Sequence, residues 1–98
     1  EALYATELLG QDPAALYRRI EQMQPTKPQL ATAASYLADF YLRQSNLPLA
    51  LEFADRSLAL REDVRVLRVK AAALQRLNRN DEAKAVMRRA DTLEKQQQ

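Results

Sequence analysis

The sequence contains no histidine and no cysteine, and these two absences exclude several classes of function. Structural zinc sites depend on thiolate and imidazole ligands, and disulfides need pairs of cysteines. Ser–His and Cys–His nucleophile pairs are excluded for the same reason. The single glycine, Gly10, is too few for a phosphate-binding loop, in which several glycines let the backbone approach the phosphate. We therefore expect no metal and no cofactor.

The chain also lacks a long apolar run and an N-terminal leader. No stretch approaches the roughly 18 consecutive apolar residues of a membrane-spanning helix, so we expect no membrane insertion. The sequence begins at Glu1, without Met, which predicts a piece of a longer protein whose export stays open. Eleven Arg against four Lys, with many Ala, Leu and Gln, is typical of bacterial proteins. The compartment is left open between bacterial cytoplasm and periplasm, including a place in a larger or membrane-anchored protein.

Helix-forming residues dominate the 98-residue chain, and strand-forming residues are scarce. Ile occurs once and Val four times, whereas Ala, Leu, Arg, Gln and Glu are abundant. A hydrophobic fraction of 47% is typical of globular proteins, and the length suits one domain, residues 1–98. The sequence therefore predicts a single all-α domain.

Proline, glycine and turn residues divide the chain into helical segments. Asp12, Asp63 and Asn80 are candidate N-caps of such segments, and so is either Asn46 or Leu47 before Pro48. Pro25 and Pro28 cannot continue a helix, so residues 25–29 are predicted to form an extended turn. The short connections predict antiparallel neighbours, and therefore three successive helical hairpins. The six predicted helices span residues 2–9, 13–24, 30–44, 48–61, 64–77 and 80–95.

Two of the predicted hairpins resemble each other in sequence. When residues 36–60 are set above 67–93, with a shift of 33, small and large residues coincide. A small residue is needed where two helices cross closely, and a large residue from the other helix fills the adjacent space. The coinciding pairs are Ala38 and Ala71, Tyr41 and Leu74, Ala50 and Ala83, Ser57 and Ala90, and Leu60 and Leu93.

This spacing resembles the tetratricopeptide repeat (TPR), a 34-residue helix–turn–helix unit. The resemblance implies a short right-handed solenoid, with repeat one about 1–29 and truncated, repeat two about 30–62, repeat three about 63–95, and a frayed tail at 96–98. Lys70 stands where the family usually has Leu, and Ser45 and Asn78 replace its turn glycine. A six-helix bundle without repeats is the competing interpretation.

The resemblance also implies a concave groove lined by the first helix of each repeat, in which partner peptides or helices bind. Arginine forks suit carboxylates, so the basic wall of repeat three favours an acidic peptide or a free C-terminal carboxylate. The clamp used by chaperone-binding members is not reproduced, because Ser35 and Asp39 occupy its positions. Packing against the neighbouring repeat is the other interpretation of Tyr36. The candidate partner-binding residues are Tyr36, Asp39, Arg43, Arg65, Arg68, Gln75 and Arg76.

Three functions are compatible with these features, and none is enzymatic. The paired carboxylates at 62–63 and 81–82 fit helix capping and dipole complementation better than acid/base catalysis. We expect a protein–protein interaction scaffold or adaptor, with self-association of a larger bacterial protein as the alternative. An accessory nucleic-acid-binding module is a weaker alternative, based on nine basic against four acidic residues in 61–89. Repeat three lacks aromatic residues for stacking on bases, so nucleic acid is the least favoured partner.

Overall fold

The computed structural model describes residues 13–97, which form five α-helices and no strand. The all-α prediction is confirmed for this part of the chain. The predicted helix 2–9 and the predicted cap Asp12 lie outside it. The helices are α1 (Pro13–Gln22), α2 (Lys27–Arg43), α3 (Leu47–Leu60), α4 (Val64–Arg76) and α5 (Asn80–Gln96).

The start of α2 corrects the expected extended turn at 25–29. The helix begins at Lys27, because Thr26 and Gln29 form a reciprocal capping box. The Gln29 backbone N–H donates to the Thr26 hydroxyl at 3.3 Å, and the Thr26 N–H donates to the Gln29 side-chain oxygen at 3.0 Å. Pro28 lies in the first turn, where its missing N–H has no helical partner to lose. Proline therefore marks the start of this helix rather than a barrier before it.

The caps of the later helices were predicted with mixed success. Asn46 caps α3 and Asp63 caps α4, as expected from their short oxygen-bearing side chains. The prediction for Asn80 is wrong, because Arg79 occupies the N-cap position and Asn80 is already helical. The Arg79 side chain does not cap the backbone and instead pairs with Glu82 in the first turn.

The turns that end α2 and α4 are built in the same way. Ser45 and Asn78 adopt left-handed backbone conformations, with φ of 61° and 62°. In each turn two backbone N–H groups return to the last helical carbonyls, which is the Schellman arrangement. The donor–acceptor pairs are Ser45 to Leu42 (3.0 Å), Asn46 to Tyr41 (2.9 Å), Asn78 to Gln75 (3.0 Å) and Arg79 to Leu74 (2.9 Å). Every residue of the second turn lies 33 positions after its counterpart in the first.

Contacts near the helix ends define how the helices lie against one another. The buried Ser57 hydroxyl, near the end of α3, donates to the Ala31 carbonyl near the start of α2 at 2.9 Å. Arg68 near the start of α4 likewise reaches Glu94 near the end of α5 at 3.1 Å. α2 therefore runs antiparallel to α3, and α4 antiparallel to α5. Further contacts join α3 to α4, α2 to α4, and α1 to α2.

The small residues that coincide in the two sequence segments are buried. Ala38, Ala50, Ala71 and Ala83 are each at most 1% exposed. Their expected burial is confirmed, and it explains why these positions carry no larger side chain: interiors at native packing density leave no room for one.

A cluster of three aromatic rings joins α1, α2 and α3. The Phe53 ring lies edge-on to Tyr17, with centroids 5.2 Å apart, and stacks on Tyr41 at 5.7 Å. The Arg56 guanidinium lies 5.3 Å from the Phe53 ring centroid and 5.5 Å from that of Tyr17. Burial, with the nearby Glu21 carboxylate, raises the pKa of Tyr17.

Candidate functional site: a groove between α2 and α4

A half-polar groove of about 240 Å³ lies between α2 and α4 and includes part of the α3–α4 connection. Its lining includes apolar residues, and Arg61 and Arg65, both near Asp63, form its cationic end. The lining residues are Thr32, Ser35, Tyr36 and Asp39 from α2, Arg61 from the connection, and Arg65, Val66 and Val69 from α4.

Tyr36 is the large exposed apolar residue among those that line this groove. It is 72% exposed, although the neighbouring Leu37 and Ala38 on the same helix are buried. Val66 is buried and Val69 half-buried on the opposite wall. An aromatic ring this exposed stabilises the free protein little, since it removes little apolar surface from water. It is therefore available to a partner.

Two arginines, Arg61 and Arg65, stand at the cationic end, and neither guanidinium makes a hydrogen bond within residues 13–97. Asp63 lies between them in sequence, and its carboxylate accepts the Arg65 backbone N–H at 2.8 Å as the cap of α4. The same carboxylate is 4.0 Å from Arg61 Nη2 and 3.8 Å from Arg65 Nε, both longer than a hydrogen bond. The Arg65 side chain is 88% exposed. Both guanidiniums therefore keep donors for a further ligand.

The two hydroxyls of the groove are already committed as donors. Thr32 donates to the Pro28 carbonyl at 2.9 Å, and Ser35 donates to the Thr32 carbonyl at 2.7 Å. A hydroxyl that has used its single hydrogen still has lone pairs to accept with. These oxygens are therefore suited to an N–H group of a ligand.

The groove brings together Tyr36, Asp39 and Arg65 among the sequence-predicted site residues. Asp39 is paired with Arg43 one helical turn along, at 2.9 Å. The other four predicted residues, which include Arg43, are not among the lining residues. Arg68 binds Glu94 on α5, Arg76 donates to the Leu42 carbonyl near the end of α2 at 3.1 Å, and Gln75 is exposed on α4.

Arg61 is the functional candidate that the sequence reasoning missed. The predicted helix 48–61 includes Arg61, whereas α3 ends at Leu60 and Arg61 lies in an extended conformation. The signal for it was the alternation of Arg61, Asp63 and Arg65. Asp63 is the cap of α4, and Arg61 and Arg65, two residues before and after it, both lie near its carboxylate.

Most of the other basic residues in 61–89 have acidic partners, which reduces the field available to a nucleic acid. Lys70, where the TPR pattern has Leu, keeps its ammonium 2.7 Å from Asp55 on α3. Further ion pairs join Arg68 to Glu94, Arg79 to Glu82 and Arg89 to Glu62. Four of the basic residues counted in this stretch are therefore paired, two of them with acidic residues outside it, Asp55 and Glu94.

The Glu62–Arg89 pair predicts a pH effect on stability. Hydrogen bonds from the Arg89 guanidinium lower the pKa of the Glu62 carboxyl below its ordinary value. A lowered folded-state pKa contributes stability above the ordinary value of 4.5, and this contribution is lost as pH falls through the lowered one. The free energy of unfolding of Glu62→Gln should therefore be below wild type at pH 7, and the difference should shrink at pH 3.

Urea unfolding at both pH values measures this difference. Asp91→Asn is the control, since it removes an exposed carboxylate of α5 that forms no ion pair within the described chain. A Glu62→Gln deficit that is equally large at pH 3 and pH 7 would contradict the assignment.

A second concavity lies between α1 and α2, and it is apolar. Its volume is about 330 Å³, and Tyr36 lines both this cavity and the groove. The lining residues are Pro13, Leu16, Tyr17 and Ile20 from α1 and Ala33, Tyr36, Leu37 and Phe40 from α2. We call it the apolar cavity.

Within residues 13–97, no three acidic side chains are grouped so as to hold a metal ion. Nor does this part of the chain contain a helix with the length and apolar character needed to cross a membrane. Comparisons with protein-family models, curated proteins and solved structures found no match.

Proposed function

We propose that α2–α3 and α4–α5 are two stacked hairpins of a right-handed TPR-like solenoid, preceded by α1 as the second helix of an earlier repeat. Three observations support this arrangement: the buried small residues 33 positions apart, the matching Schellman turns, and the contact of α2 with α4. Successive repeats that contact only their neighbours would expose α2 and α4 on one face.

In this proposal the chain is a non-catalytic interaction module, a scaffold or adaptor, that binds a peptide or helix of another protein in the groove between α2 and α4. The observation that carries it is an exposed tyrosine beside arginines with unused donors. Tyrosine and arginine are enriched among residues that dominate binding energy at protein interfaces. The acidic groups nearby already have roles, Asp39 as the partner of Arg43 and Asp63 as a cap, which argues against acid/base chemistry.

Tyr36→Ala should abolish or weaken partner binding by at least about tenfold, since loss of an interface anchor typically costs more than 1.4 kcal/mol. The partner is found by selecting binders from a random peptide display library on the immobilised wild-type chain. Affinities of the selected peptides are then measured for wild type and variant.

Met23→Ala is the matched control, because Met23 is also a large exposed apolar residue, at 79%, but does not line the groove. Peptides that bind wild type and Tyr36→Ala equally, or that lose affinity only with Met23→Ala, would contradict the proposal. Absence of any enriched peptide would also count against it.

The apolar cavity favours one second candidate, self-association. Its lining is almost wholly apolar, and a copy of the chain could bury it. Light scattering at several protein concentrations separates the two functions. A mass that rises from one chain to two, and stays at one chain in Ile20→Lys, favours self-association. A constant single-chain mass, together with peptide binding at Tyr36, favours the interaction module.

A further inference from the structure

We propose that the groove between α2 and α4 recognises a carboxylate of an extended partner segment, and that Arg61 and Arg65 are the two groups that bind it. This inference rests on the proposed function and adds the chemistry of the partner. It also moves the cationic site from the α4 residues Arg68 and Arg76 to the start of the helix.

The hydrogen bonds of the four arginines carry this choice. Arg68 places one Nη atom 3.1 Å from each oxygen of Glu94, and Arg76 donates to the Leu42 carbonyl at 3.1 Å. Each of these guanidiniums is held on a partner elsewhere in the chain, and neither lines the groove. The guanidiniums of Arg61 and Arg65 make no hydrogen bond within the described residues and both line the groove, so their donors are available to a ligand there.

Asp63 places the pair without neutralising it. Its carboxylate lies within 4.0 Å of both guanidiniums, which holds two like charges at the same end of the groove. Two cations and one anion leave a net positive charge there. The Asp39 carboxylate is balanced by Arg43 and does not cancel it. An incoming carboxylate complements this charge and matches the fork geometry of a guanidinium.

The remaining surface selects a peptide rather than a free anion. Tyr36 and Val69 offer an apolar wall next to the arginines, where a bulky aliphatic or aromatic side chain would pack. The hydroxyl oxygens of Thr32 and Ser35 can accept from backbone N–H groups. The occupant is therefore a segment with an acidic residue and an apolar residue close together.

A panel of defined peptides tests this specificity. The probes are acetylated, amidated nonapeptides of Ser and Gly that carry one Glu and one Leu, with zero to four residues between them. Each probe has two control peptides, one in which Gln replaces Glu and one in which Ser replaces Leu. Titrations followed by two-dimensional NMR of the full chain detect weak binding and locate it.

We expect at least one spacing to shift the amides of Tyr36, Arg65 and Val69. The control peptide with Gln in place of Glu should bind at least tenfold more weakly, and the Glu peptide should lose affinity as salt is raised. The double variant Arg61→Gln, Arg65→Gln should reproduce that tenfold loss and remove most of the salt dependence. The matched double variant Arg68→Gln, Arg76→Gln should change affinity less than twofold. Circular dichroism establishes that both variants are folded.

Equal binding of the Glu and Gln peptides at Tyr36 would overturn the carboxylate site and leave the interaction module standing. The Arg61 and Arg65 assignment would be overturned by an equal or larger loss in the Arg68 and Arg76 variant. Shifts confined to Ile20 and Phe40 would place the ligand in the apolar cavity, and this would also overturn the Arg61 and Arg65 assignment. If no peptide of the panel, and none from the random library, shifts the amide resonances of the groove residues, the inference and the proposed function both fail.

Discussion

Phe53→Ala should lower the free energy of unfolding by about 3–5 kcal/mol, the usual cost of deleting a buried phenyl ring. The side chain is 1% exposed and contacts both other rings of the cluster, so its removal opens a cavity among α1, α2 and α3. It also removes one of the two rings beneath the Arg56 guanidinium. Small domains are typically stable by about 5–15 kcal/mol, so the variant should be near the limit of folding.

Urea unfolding at pH 7, followed by circular dichroism, measures this loss. Tyr36→Ala is the control, since it deletes an aromatic ring that is 72% exposed and should stay within about 0.5 kcal/mol of wild type. If Phe53→Ala does not fold, Phe53→Leu keeps part of the apolar volume and gives a measurable, smaller loss. A Phe53→Ala midpoint equal to that of Tyr36→Ala would contradict the aromatic core.

Ala50→Leu and Ala83→Leu should each cost about 1–3 kcal/mol, because each forces extra volume into a closely packed position. The two alanines are 0% and 1% exposed and lie 33 residues apart. For a chain of this size, a loss of 1 kcal/mol lowers the melting temperature by about 4–8 °C. Both variants should therefore melt several degrees below wild type, and by comparable amounts if the two positions are equivalent.

Ala59→Leu and Ala85→Leu provide matched controls in the same two helices, at exposed positions. Leu and Ala are both good helix formers, so these controls should melt within about 2 °C of wild type. An unchanged midpoint for Ala50→Leu and Ala83→Leu would mean that these alanines do not sit at closely packed positions. The repeat register would then be wrong.

The sequence predicted helix starts correctly where one side chain and its immediate neighbours determine the cap. Asn46 and Asp63 were identifiable as caps because the cap is made by one side chain and the next two or three residues. The prediction for Pro28 was wrong because proline is tolerated in the first turn of a helix. The capping box of Thr26 and Gln29 starts α2 at Lys27, one residue before this proline. Asn80 was misjudged because the Schellman turn after α4 places Arg79 at the cap.

The candidate site was only partly predictable, because side-chain partners far apart in sequence decide it. Periodicity placed Arg65, Arg68 and Arg76 along one helix, but it could not show that Arg68 reaches Glu94, 26 residues on. Arg76 is likewise engaged with Leu42, 34 residues earlier. The groove depends on how α2 lies against α4, and residue patterns within one helix do not encode that distance.

The most direct test of the interaction groove is an isotope-filtered NOE experiment on the wild-type chain bound to its best selected peptide. The account predicts NOEs from the peptide to the Tyr36 ring and the Val69 methyl groups, with the peptide carboxylate at the Arg61 and Arg65 end. NOEs confined to Ile20 and Phe40 in the apolar cavity, or to the exposed face of α5, would contradict it.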